Sequence, residues 1–329
     1  MEKKQDSLME ISNLTVRYNT DDAVVHAVNN FNLKLVRGEA CGLVGETGAG
    51  KTTLALSILR LLPERVGEVT GGSIVYDGQE LLNLPEAEML PLRGKRISMI
   101  FQDPMTSLNP TQTVGDQILE VLNLHFPEMT REEKNKRVDE MMTLVGIPPQ
   151  RKKSFPHEFS GGMKQRVVIA MALVAEPELL LADEPTTALD VTIQAQILEL
   201  MKQLREKFNT SVMLITHDLG VVAQFCDSVS VVYAGRVVEY GPVEIVFQRK
   251  ENHPYTAGLF NCIPNLHDDQ PRLHPIAGHM ADPRVEYKGC CFADRCEYAT
   301  ERCRTEAPSM HVCGEHGILC HRYAEKEEF

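Results

Sequence analysis

Residues 8–36 alternate between apolar and polar side chains, first through Leu8-Met9-Glu10-Ile11-Ser12-Asn13-Leu14-Thr15-Val16 and again through Phe31-Asn32-Leu33-Lys34-Leu35-Val36. A period of two predicts strands with one covered face. Arg37-Gly38 ends the alternation, and the unbroken apolar run at 40–44 predicts a strand buried on both sides. Good helix formers occupy 53–62. Strands are predicted again at 70–76 and 97–101, the second closed by Gln102, after which the prolines of F-Q-D-P-M-T-S-L-N-P exclude a continuing strand. The stretch 112–175 then changes to helical spacing. Apolar positions at 113–126 share one helix face, and Thr130 with Glu133 forms a capping box opening a charged helix that ends near Gly146. Ser160-Gly161-Gly162 precedes an apolar helix at 167–175. Apolar runs at 179–183 and 211–216 predict two further buried strands around a helix reaching about residue 208, and 229–233 with 237–239 flank Ala234-Gly235 as a hairpin. Tyr18, in V-R-Y-N, falls in the loop after the first strand. Beyond Gly241 the prolines at 242, 254, 264, 271, 275 and 283 predict an irregular connection with one helix, 254–262.

Composition narrows the class. With 329 residues, 43% apolar and 24% charged, the chain can bury a large core. Its longest apolar stretch, 167–175, is about half of what a bilayer requires. The opening M-E-K-K-Q-D-S has no apolar segment of a signal peptide, so a cytosolic protein is expected unless a membrane partner holds it. A net charge of −12 argues against nucleic acid as the main ligand. Of nine cysteines, Cys41, Cys226 and Cys262 are scattered, whereas six lie between Cys290 and Cys320; in a reducing compartment that cluster reads as a metal site before it reads as disulfides.

The chemistry concentrates at 45–52, G-E-T-G-A-G-K-T, which fits the phosphate-loop pattern G-x-x-x-x-G-K-[ST] between a predicted strand and a predicted helix. Gly45, Gly48 and Gly50 are expected to turn the backbone so that successive N–H groups share one concavity, completed by the helix N-terminus. Gly45, Glu46, Thr47, Gly48, Ala49, Gly50, Lys51, Thr52 and Thr53 are therefore candidate nucleotide contacts. Lys51 would reach the β- and γ-phosphates and the Thr52 hydroxyl would ligate Mg²⁺. Ser160, Gly161 and Gly162 offer a second helix start with bare donors, although S-G-G before a helix is also an ordinary N-cap. The strand at 179–183 delivers Asp183 and Glu184 at its C-terminal end, where ligands of parallel sheets bind. Asp183 would hold Mg²⁺ through water and Glu184 would act as general base toward the attacking water. His217, after the strand at 211–216, can touch a γ-phosphate or cap the next helix. Tyr18 can stack on adenine or pack on the sheet edge.

These motifs, in this order, resemble an ABC-type ATPase over about residues 8–245. The resemblance implies a RecA-like α/β core with an antiparallel β subdomain and a helical insertion at about 105–175. The closer likeness is to the ATP-binding subunits of oligopeptide/dipeptide importers, carried by F-Q-D-P-M-T-S-L-N-P, F-S-G-G-M-K-Q-R, D-E-P-T-T-A-L-D-V-T-I-Q-A-Q-I, H-P-Y-T at 253–256 and the tail's G-C-C-F-A-D-R-C. Nickel and glutathione importers share most of these. Met163 departs from the Gln usual in the general signature, but Met is common there in this branch.

Several properties follow from the resemblance alone. Such ATPases pair head to tail, each ATP held by the P-loop of one subunit and the segment Ser160, Gly161, Gly162 of the other; the second ATPase is expected to be a paralogue. Gln102 would sense the γ-phosphate or Mg²⁺ and couple to two transmembrane permease subunits, served by an extracytoplasmic binding protein. The subunit would sit peripherally on the cytoplasmic face of the membrane, without nucleic acid. The chain divides into a nucleotide-binding part, 1–250, and an extension, 251–329. Thiolates at C-x5-C-x6-C-x16-C suit either Zn²⁺ or an iron–sulfur cluster. The resemblance assigns Cys290, Cys296, Cys303 and Cys320 to a [4Fe–4S] cluster in a small irregular tail, with Cys291 as an alternative to Cys290. The rival readings are a soluble ABC-type ATPase acting on nucleic acid or ribosomes, and a regulatory subunit without turnover. The single ATPase unit and net negative charge argue against the first, and the intact Glu184 and His217 against the second.

Overall fold

The early alternation is realised in two long strands, β1 (Ser7–Asn19) and β2 (Val24–Val36). In β1 the buried positions shift from Met9 and Ile11 to Leu14 and Val16, a change of parity. A bulge causes it: Asn13 takes φ 51° and the pairing register slips between Ser12 and Thr15. The facing Gly72 accommodates the bulge, since a Cβ there would lie 2.5 Å from Leu14 Cα. With β4 (Gly67–Tyr76) and β5 (Gln79–Glu80) these strands form a sheet of order β2-β1-β4-β5, in which β1 and β4 run antiparallel with Met9 opposite Tyr76. Tyr18 is in β1 and not in a loop, because the strand runs on to Asn19.

The computed structural model describes residues 7–187, 189–248, 250–262 and 275–324. They divide into two compact units. One comprises Val36–Ala40 and Asn83–Ile215; the other comprises Ser7–Leu35, Cys41–Leu82 and Thr216 onward. Pro264 and Pro271 of the predicted connection lie outside the described residues, as does Ala188.

In the first unit β6 (Ile97–Ile100), β7 (Leu179–Asp183) and β8 (Ser211–Thr216) are parallel neighbours. Every residue of β7 and β8 is buried, as continuous apolar strands covered on both faces require. The predicted insertion is helical. Helix Val114–His125 is capped by Thr113, and helix Arg131–Leu144 opens on the Thr130–Glu133 capping box. Helix Gly161–Leu173 packs on helix Val114–His125, on helix Val191–Phe208 and on β6.

In the second unit β3 (Ala40–Val44) pairs in parallel with β9 (Ser228–Tyr233), which turns at Ala234 and Gly235, both with positive φ, into β10 (Arg236–Pro242). Helix Lys51–Ile58 follows the glycine loop; it starts two residues before the predicted 53–62 helix and stops short of its end, where Arg60 takes φ 53°. The tail is more regular than expected. β11 (Met310–Cys313) and β12 (His316–Leu319) form a hairpin, and β12 pairs antiparallel with β10, extending the order to β11-β12-β10-β9-β3. Four-residue strands interrupted by His and Cys carry too little alternation to be read from the sequence.

Glu239 of β10 is fully buried and accepts from His316 Nε2 of β12 at 2.8 Å, Asn252 Nδ2 at 2.8 Å and the His253 amide at 2.9 Å. Tyr233, Tyr255 and Phe292 pack ring against ring in the same core, their centroids 4.7–5.5 Å apart. Burying Phe292 contributes about 1.5–3 kcal/mol, with about 0.5–1.5 kcal/mol more for each well-placed ring pair.

Candidate functional site

The glycine loop leaves β3 between two backbones that allow no side chain. A Cβ on Gly45 would lie 2.2 Å from the Val232 carbonyl oxygen, so close approach and not φ demands glycine there. Gly48 and Gly50 do turn the chain, at φ 84° and 96°, and a Cβ on Gly50 would also meet the Ala27 carbonyl oxygen at 2.2 Å. Gly50, the residue before the helix that begins at Lys51, has no side chain with which to cover that helix start. Lys51 is 6% exposed; its ammonium arches over the loop, donating to the carbonyls of Gly45 at 2.6 Å and Glu46 at 3.0 Å. Thr47, Gly48 and Thr52 are exposed, Ala49 is buried, and Thr53 is half-buried. Tyr18 meets this helix through its hydroxyl, 3.1 Å from Thr53 Oγ1.

Glu46 is held on two sides by residues far along the chain. Its amide donates to the Tyr255 hydroxyl at 2.9 Å, and its carboxylate accepts from both terminal nitrogens of Arg295, at 2.7 and 3.2 Å. Burial works against the Arg295 charge, but the Glu46 carboxylate and the Tyr233 ring hydroxyl outweigh it and raise the pKa. The Tyr255 phenol is likewise raised, by burial. Neither partner was recognisable as part of the loop from the sequence; H-P-Y-T stood out only through resemblance.

In the other unit Asp183 ends β7 at 2% exposure, and Glu184 follows with φ 47°. That left-handed turn is pinned by the Glu184 amide donating to the Ile215 carbonyl at 2.8 Å. It leaves the half-buried Glu184 carboxylate accepting from Gln102 Nε2 at 3.2 Å and Thr187 Oγ1 at 2.8 Å. Gln102, Asp183 and Glu184 are thus gathered at the C-terminal ends of neighbouring strands. Ser160 is the N-cap residue of helix Gly161–Leu173, but its hydroxyl caps nothing, unlike an ordinary N-cap serine. Asp190 caps helix Val191–Phe208 by accepting from the Ile193 amide at 3.0 Å. In the second unit His217 is exposed; the helix after it is capped by Asp218, which accepts from Gly220 and Val221, so the capping alternative for His217 falls.

Cys290, Cys296, Cys303 and Cys320 line a cavity of about 280 Å³ together with Phe292 and Arg302. Burial raises the thiol pKa of Cys290 to about 12 and also raises those of Cys296 and Cys320. Cys291 points away: its sulfur lies 3.9 Å from the Tyr233 carbonyl oxygen it donates to, and it does not line the cavity. Among the described residues no group of three or more His, Cys, Asp or Glu converges tightly enough for one metal ion. What the cavity does offer is four cysteine side chains in one lining, the donor type of both zinc and iron–sulfur sites.

Residues 28–187 match the family described as ABC transporter, and residues 238–303 the one described as oligopeptide/dipeptide transporter, C-terminal region. The oligopeptide transport ATP-binding protein OppD of Haemophilus influenzae is 47% identical over 326 residues, covering 98% of either chain. Its namesake in Salmonella typhimurium is 49% identical over 303 residues, 92% of this chain and 89% of that one. The dimeric post-hydrolysis structure of the ATP-binding cassette MJ0796 bound to ADP and Pi matches with a TM-score of 0.64 at 29% identity, covering 71% of this chain and 98% of that chain.

Proposed function

The chain belongs to the ATP-binding proteins of oligopeptide ABC transporters, and from that premise we propose that it hydrolyses ATP to power the import of di- and oligopeptides through a membrane complex. The observation that carries this reading is the Glu184 carboxylate, turned by an uncommon backbone angle and held by Gln102 and Thr187 beside the buried Asp183. Such an arrangement suits a base that orients a lytic water.

Each residue has a role in that chemistry. The amides of the loop and of helix Lys51–Ile58 bind the phosphates, and Lys51 exchanges its loop carbonyls for the β- and γ-phosphate oxygens. Thr52, through its hydroxyl, and Asp183 would hold Mg²⁺, which would supply neutralisation of charge on the phosphates. Glu184 accepts the proton of the lytic water, Gln102 reports the γ-phosphate or Mg²⁺, and His217 contacts the γ-phosphate. Tyr18, already beside the P-loop helix, supports the adenine. Ser160, Gly161 and Gly162 close on the ATP of a second ATPase subunit in a head-to-tail pair. Residues 1–250 carry this function and 251–329 form the extension.

The partners are a second, paralogous ATPase, two permease subunits and an extracytoplasmic binding protein, with this subunit on the cytoplasmic face. No described helix is long and apolar enough to cross a membrane. Cys290, Cys296, Cys303 and Cys320, which line one cavity, are the residues that would hold a [4Fe–4S] cluster, with Zn²⁺ as the alternative, and such a group would staple a proline-broken segment. Glu184→Gln tests the central assignment: ATP binding persists and turnover falls below detection. Normal steady-state hydrolysis by that variant would refute it. Reconstitution with the permeases is expected to raise turnover, whereas stimulation by nucleic acid in their place would favour a soluble ATPase. Nickel or glutathione as the only stimulating cargo of the complex would reassign the substrate.

A further inference from the structure

Arg295 sits between Cys290 and Cys296, yet its side chain serves the phosphate loop. The guanidinium is 5% exposed and grips the Glu46 carboxylate with two nitrogens. It lies 5.8 Å from the Tyr233 ring centre and 5.9 Å from that of Phe292, and Nε donates to the Ala277 carbonyl at 3.0 Å. It is therefore fixed on every side. Glu46 is equally constrained: Tyr255 takes its amide, Arg295 its carboxylate, and Lys51 its carbonyl. A continuous chain of charge-assisted bonds thus runs from the cysteine segment through Glu46 to the P-loop lysine.

The second residue of a loop that binds a polyanion is an unfavourable place for a carboxylate. Left uncompensated, Glu46 would repel the triphosphate and would compete for Lys51. A neighbouring lysine on the surface would be screened and mobile; a buried, forked guanidinium cancels the charge and also fixes its position. We propose that Arg295 is a positioning residue for the phosphate loop, and that through it nucleotide affinity depends on the integrity of the cysteine segment. The proposal rests on the reading of residues 45–52 as the triphosphate site. Cys290 and Cys296 flank Arg295 in the chain, and the course of the backbone between them sets where its guanidinium stands.

The test measures binding of a fluorescent ATP analogue with Mg²⁺ to the full chain, alongside kcat and KM for ATP. Arg295→Ala is expected to weaken binding about tenfold and raise KM equally, with kcat at saturation little changed. Glu46→Gln in the same chain restores affinity to within about threefold, because it removes the charge that Arg295 compensates; repairing a merely structural defect would not follow from that change. Tyr255→Phe, which deletes one acceptor and keeps the ring, weakens binding less. Cys296→Ser weakens binding in the native background and adds nothing in the Arg295→Ala/Glu46→Gln background. Native affinity in Arg295→Ala, failure of Glu46→Gln to rescue it, or an undiminished Cys296→Ser effect in the double variant would each overturn the proposal. If Arg295→Ala does not fold, Arg295→Lys and Glu46→Gln alone decide it: the first must bind more weakly than native and the second at least as tightly. Lys51→Ala separates the two levels, since native-like binding by that variant removes the triphosphate site itself.

Discussion

Gly161 and Gly162 look equivalent in the signature S-G-G, but their surroundings predict opposite consequences of adding one methyl group. A Cβ on Gly162 would lie 2.6 Å from Ile193 Cγ2, on the helix packed across from it, whereas on Gly161 the nearest atom would be Leu189 Cδ2 at 3.9 Å. Ile193 is β-branched in a helix, so its χ1 cannot swing to make room. Overpacking of this kind costs about 1–3 kcal/mol, offset by up to about 1 kcal/mol of helix propensity gained from Ala over Gly. With the full offset, Gly162→Ala is therefore expected to lose up to about 2 kcal/mol net, a fall of up to about 4 °C in thermal unfolding. Gly161→Ala has no clash to offset its propensity gain and is expected to be as stable as native or slightly more so. Its methyl group nonetheless covers backbone donors assigned to the partner's ATP, so steady-state ATPase activity of the assembled pair falls at least tenfold. Ile193→Leu, which moves the branch away from Cβ, should return the stability of Gly162→Ala. Equal thermal shifts in the two alanine variants, or no rescue by Ile193→Leu, would refute the reasoning.

Other predictions follow from the tail. Cys303→Ser should bleach a brown wild-type protein with broad absorption near about 400 nm; a colourless protein holding stoichiometric zinc would replace the cluster assignment. His253 is buried and its pKa is lowered from 6.5 to about 3 by desolvation. The unfolded chain therefore binds a proton that the folded one refuses between those values, so stability falls as pH drops from 6.5 toward 3. His253→Asn, which keeps an acceptor for the Tyr255 amide, is expected to flatten that acid limb of a plot of melting temperature against pH; an unchanged slope would mean His253 is not its source.

Long or strongly patterned segments were legible in the sequence. The capping box at Thr130 and Glu133, the buried strands around Asp183 and the hairpin at Ala234-Gly235 all stand where their local chemistry places them. What escaped reading depended on distant partners. Gly45 is glycine because β9 passes beside it, and Asn13 bulges against Gly72; neither cause lies within ten residues. The tie from Glu46 to Arg295 spans 249 residues, and no local period encodes it. Tyr18 was misplaced for a simpler reason, since nothing in V-R-Y-N distinguishes the last turn of a strand from the loop after it.

The hairpin β11–β12 has a practical corollary for anyone who would shorten this protein. Ending the chain near residue 250 would strip β10 of its outer neighbour, leaving a row of unpaired amides and carbonyls open to a strand from another molecule. It would also abandon the Glu239 carboxylate in the interior with His316, Asn252 and His253 all deleted. A truncated ATPase made that way is expected to precipitate when expressed, however intact its phosphate loop.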